Sequence, residues 1–122
     1  MKKRTIVGAI LASVFIGAFG LAAPANAAGT VHGCPSGYFC IYPDSGWNGD
    51  KPSHKYFKYG SYNLSGQLGN HRVLNNQTDG AKVGFYTGYD GTGELRTVVF
   101  TFEWWWDTNV NLTPINSIKL VK

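Results

Sequence analysis

Between residues 28 and 122 no stretch places apolar side chains at helical spacing for more than a turn. Short aromatic and β-branched runs alternate instead with clusters of Gly, Asn, Asp, Ser and Pro, residues that accept positive φ or bond back to their own backbone in turns. Such punctuation predicts an all-β domain. The expected strands are 37–42, 55–59, 73–74, 81–86, 97–104 and 117–121. Turn signals fall at Pro43-Asp44-Ser45-Gly46, Asn48-Gly49-Asp50, Asp79-Gly80 and Tyr89-Asp90-Gly91-Thr92-Gly93.

The first 27 residues obey a different pattern. Lys2, Lys3 and Arg4 precede an apolar run from Ile6 to about Ala23, and Ala25 and Ala27 supply the small residues of a signal-peptidase site. Residues 1–27 are therefore expected to be a secretory signal, cut before Ala28, and the protein to be extracellular. Small residues fill the run and no stop-transfer cluster follows it, which argues against a membrane anchor. The cut leaves 122 − 27 = 95 residues, enough for one domain with one core.

Charge changes with the cut. The whole chain has 11 basic and 7 acidic residues, three of the basic ones in the leader, so the exported part carries 8 − 7 = +1. Lys51, Lys55 and Lys58 are its local basic cluster. Without a strongly basic stripe, nucleic acid and anionic membrane are not expected partners. Cys34 and Cys40 would meet an oxidising environment and are expected to pair. Closing so short a loop stabilises by about 2 kcal/mol, so the bridge would chiefly fix local geometry.

An internal repeat emerges when 40–50 is set against 84–94. In both, a strand-ending Tyr (Tyr42, Tyr86) is followed seven residues later by Gly (Gly49, Gly93) and then by an acid (Asp50, Glu94), an offset of 86 − 42 = 44. His71-Arg72-Val73 and Asn116-Ser117-Ile118 repeat at 45. Two homologous β-units sharing one core are expected, at about 34–76 and 80–122.

An aromatic, a glycine several residues on in a tight fold and a closing strand resemble the Greek-key motif of the βγ-crystallin superfamily. More narrowly, Cys34-Pro35-Ser36-Gly37-Tyr38-Phe39-Cys40-Ile41-Tyr42, with Val73-Leu74-Asn75-Asn76-Gln77-Thr78 and Phe85-Tyr86, resembles the microbial metalloproteinase-inhibitor family of secreted actinobacterial proteins. The resemblance implies a βγ-crystallin-like Greek-key sandwich of two tandem motifs and inhibition of an extracellular proteinase through a rigid exposed loop. Inhibitors of that family resemble two-disulfide domains, whereas this chain has one cysteine pair. βγ-Crystallin calcium sites use an Asn/Asp pair followed by Ser/Thr-Ser. Here the corresponding stretches read Gln67-Leu68-Gly69-Asn70-His71-Arg72 and Leu112-Thr113-Pro114-Ile115-Asn116-Ser117, without that pair and with Arg72 where a hydroxyl would ligate. No bound calcium, and no other metal or cofactor, is expected.

Catalytic constellations are not apparent. His32, His54 and His71 are scattered and read as solvated or turn histidines, while Asp44, Asp50, Asp90 and Glu94 sit where turns need capping. A non-enzyme is expected. In Phe100-Thr101-Phe102-Glu103-Trp104-Trp105-Trp106-Asp107, alternation puts Phe100, Phe102, Trp104 and Trp106 on a core face and Trp105 among polar neighbours. Trp105 is either a partner-binding anchor or a cover for its own edge strand. Trp47 poses the same choice in the first turn. The leading expectation is a secreted, monomeric metalloproteinase inhibitor. The alternative is a carbohydrate or cell-wall binding module, or a killer-toxin-like protein of the same fold, reading polysaccharide through Trp47 and Trp105.

Overall fold

The computed structural model describes residues 29–101 and 108–122. The expected leader and the three tryptophans 104–106 lie outside the described residues. Among the described residues eight strands form: β1 (Tyr38–Ile41), β2 (His54–Tyr56), β3 (Gly60–Asn63), β4 (Asn70–Asn76), β5 (Lys82–Tyr86), β6 (Leu95–Phe100), β7 (Asn109–Asn111) and β8 (Ser117–Val121). They make two four-stranded antiparallel sheets, ordered β2-β1-β4-β7 and β3-β8-β5-β6. The third strand of each half thus belongs to the other half's sheet.

The offsets read from the sequence recur in the pairing register. Ile41 faces Val73 in the first sheet; adding 44 to one and 45 to the other gives Phe85 facing Ile118 in the second. Period-two alternation then sorts the side chains. Phe39, Ile41, Val73, Val83, Phe85, Val99, Ile118 and Leu120 form the core, with the Phe39 and Phe85 rings meeting edge to face at 5.9 Å. Their neighbours Cys40, Tyr42 and Leu74 form a second apolar cluster with Cys34, packed by Val31, Tyr38 and Trp47. The Cys34–Cys40 disulfide, with Cα atoms 5.9 Å apart, joins this cluster to the segment before β1.

Amides clamp the layers. Asn75 Nδ2 donates to the carbonyls of Ala81 and Val99, and its Oδ1 accepts from Gln77 N and Gln77 Nε2. A side chain of the first sheet is thereby bonded to a strand of the second. Asn76 donates to the carbonyls of Gly29 and Cys34, tying down the segment before β1. The fit there is close: Gly33 has φ +76°, and a Cβ on it would lie 1.9 Å from the Asp50 carbonyl oxygen.

Several expectations are corrected. The run 55–59 is not one strand: β2 ends at Tyr56, because the chain crosses from the first sheet to the second before β3 starts at Gly60. β3 and β7 were hidden by turn-like compositions, Gly-Ser-Tyr-Asn and Asn-Val-Asn, and acquire strand form by pairing with β8 and β4. Phe100 is 49% exposed, whereas Val99 is buried opposite Val83, so alternation in β6 has the opposite phase to the one expected. His71 is buried rather than solvated.

Burial raises the phenols of Tyr42 and Tyr56 above their ordinary value near 10, with the Asp50 charge adding to the first and Tyr62 to the second. Above pH 10 the unfolded chain releases these protons while the fold retains them, so stability falls as pH rises. The fall is expected to begin near pH 10, at no more than about 1.4 kcal/mol per pH unit for each phenol. Denaturation midpoints across pH 8–11 should show a shallower slope in Tyr42→Phe.

Candidate functional site

The sequence Ser65-Gly66-Gln67-Leu68-Gly69 connects β3 to β4 and carries one apolar side chain among small and polar ones. Leu68 is 71% exposed, which makes it the most exposed large apolar side chain among the described residues. Burying such a side chain on a partner is favourable by about 1.5–3 kcal/mol.

The loop is pinned on both sides of its tip. Leu64 N donates to the Asn116 carbonyl at 2.9 Å, Gly69 N to Thr113 Oγ1 at 2.8 Å, and Leu112 N to the Gly69 carbonyl at 2.9 Å. Gln67 Nε2 donates back to the Ser65 carbonyl at 3.1 Å. The β7–β8 connection of the second half therefore holds a loop of the first.

His71 adds a third support. Its Nε2 lies 3.0 Å from the Leu68 carbonyl oxygen and its Nδ1 2.6 Å from the Tyr42 carbonyl oxygen. Both partners are acceptors, so a doubly protonated ring serves both, while a neutral ring donates to one only. Through this ring the exposed loop is fastened to the end of β1.

Hollows flank the loop. One, of about 280 Å³, lies between it and Asn63, Tyr89, Thr113 and Asn116. Another, of about 340 Å³, lies between it and Pro43, Ser53, His54 and His71. Gly66, Gln67 and Leu68 wall both, so the loop stands as a ridge between two depressions. A partner that receives Leu68 could set its rims into them.

The residues singled out from the sequence lie elsewhere. Trp47 is half-buried: His32 stacks on it at 3.9 Å with planes 8° apart, Tyr42 meets it edge-on at 5.0 Å, and the Arg72 guanidinium carbon lies 4.7 Å from its ring. Much of its surface is thus engaged in holding the first turn. His32 Nδ1 also lies 2.8 Å from Asp50 Oδ1. Trp105 lies outside the described residues. In the two stretches compared with calcium motifs, Arg72 Nε donates to the Ser45 carbonyl, and the Ser117 hydroxyl donates to Gly88 O and accepts from Gly91 N. Each closes the turn of its own half. Leu68 is not marked by any metal-ligand or aromatic motif; its signal in the sequence is a lone leucine bracketed by Gly66 and Gly69. Comparison with protein-family models, curated proteins and solved structures finds no match.

Proposed function

We propose that this chain is a secreted proteinase inhibitor, built on a βγ-crystallin-like pair of Greek keys, that seats its 65–69 loop in the cleft of an extracellular metalloproteinase. The observation that carries the reading is a bulky apolar side chain, 71% exposed, on a loop pinned at both ends. A loop already fixed in its bound shape avoids much of the ordering cost of association. Leu68 fills the enzyme's apolar subsite as the central anchor, and the flanking hollows receive the cleft rims. The hydrogen bonds that the loop makes with His71, Thr113 and Leu112 hold it in place, which slows its conversion to product. The family resemblance supplies the enzyme class, and the expected leader places the encounter outside the cell.

The test is titration of a thermolysin-like zinc endopeptidase with the chain from Ala28 onward. Stoichiometric inhibition is expected, and Leu68→Asp should weaken it by at least about 30-fold, a loss of about 2 kcal/mol typical of a central anchor. Thermal unfolding of that variant should be nearly unchanged, since the side chain is exposed. No inhibition of any metalloproteinase in a panel at large molar excess would overturn the proposal.

A further inference from the structure

The connection between β2 and β3 presents a different surface, and what it binds does not depend on the inhibitory reading. β2 is an edge strand. At its end Tyr56 turns inward onto Tyr62, with rings 4.6 Å apart, and Phe57, Lys58 and Tyr59 all face solvent. Phe57 is 54% and Tyr59 53% exposed. The turn is held: Tyr62 Oη donates to the Lys58 carbonyl at 2.6 Å, and the Tyr38 ring packs on Phe57 at 5.2 Å.

Cations accompany the aromatics. Lys58 Nζ lies 5.9 Å from the Phe57 centroid, and exposed Lys55, on β2, precedes Phe57 by two residues. Among the described residues no carboxylate pairs with either lysine. Charge is segregated along the chain as well: from Lys51 to Thr78 there are three lysines and Arg72 but no Asp or Glu.

We infer that this edge binds an acidic polysaccharide. Sugar rings carry apolar C–H faces that pack on exposed aromatic rings, and the carboxylates of a polyuronate would meet Lys55 and Lys58. Two aromatics beside cations that meet no carboxylate among the described residues suit a ligand offering both features in each repeat. A neutral glycan would leave the lysines unused. A duplex nucleic acid would require a wider basic stripe than an exported chain of net charge +1 supplies.

The experiment is affinity electrophoresis of the chain from Ala28 onward through gels containing alginate, a polyuronate, or dextran, a neutral glucan. Retardation by alginate alone is expected, weakening as salt rises because exposed charges are screened. The double variant K55Q/K58Q should bind at least about tenfold more weakly, the equivalent of about 1.4 kcal/mol. Phe57→Ser with Tyr59→Ser should also weaken binding, while Leu68→Asp should leave it intact. Retardation by dextran equal to that by alginate, indifference to K55Q/K58Q, or equal binding to phosphatidylserine vesicles would each overturn the inference. Unchanged thermal unfolding of K55Q/K58Q separates lost binding from lost folding.

Discussion

Replacing Asn75 with aspartate, which exchanges one NH₂ group for an oxygen of nearly the same size, is expected to lower stability by about 3–5 kcal/mol, the range for a buried charge left without a partner. Asn75 is buried and uses its full capacity: two donated bonds to Ala81 O and Val99 O, and two accepted from Gln77. The aspartate would aim a carboxylate oxygen at two carbonyl oxygens and strand both inside the protein. If protonated, it could donate to only one of them. For a domain whose total stability is about 5–15 kcal/mol, the loss is a large share. Guanidinium titration of wild type and variant checks it, with the gap expected to narrow below the ordinary range of carboxylate titration. A loss under about 1 kcal/mol would mean that Asn75 does not hold the sheets together.

Phe85→Ala is expected to be comparably damaging, at about 3–5 kcal/mol for a buried phenylalanine whose cavity cannot fully collapse. The ring is fully buried, meets Phe39 from the opposite sheet edge-on, and sits on β5, which pairs with both β6 and β8. Urea denaturation should show a lower midpoint with little change in slope if the variant still unfolds in one step. A midpoint close to wild type would place the core elsewhere.

Local chemistry explains which parts of the fold could be read beforehand. β8 was expected at its observed limits, because Ile118, Leu120 and the intervening Lys119 alternate between core and outside. The paired cysteines, and the 44- and 45-residue offsets, likewise depend on residue identity and spacing. β3 and β7 were illegible since their strand form is imposed by partners 37 and more residues away, β8 and β4 on the described pairings, not by their own side chains. β6 was misphased for a related reason. Val98, Val99 and Phe100 are consecutive apolar residues, so sequence alone cannot say which of them faces Val83.

The candidate site was less legible than the fold. Tryptophan is the usual partner-binding residue, yet Trp47 is engaged by His32, Tyr42 and Arg72. Exposure instead falls to Leu68 and to Phe57 and Tyr59, whose side chains gain only partial cover where the chain crosses between the sheets. Such exposure is a property of topology.

The exchange of β3 and β7 between the sheets also governs the order in which the protein can be completed. Emerging from its N-terminus, the first half can pair β1 with β2 and β4, but the outer position beside β4 stays vacant until residues 109–111 arrive. β3 must wait longer, for its only partner among the described residues is β8, beginning at Ser117. Contacts so distant along the chain favour slow folding that is cooperative only at the end. Neither sheet can therefore be completed before residues 109–121 are in place, and that one segment is the closing step for both.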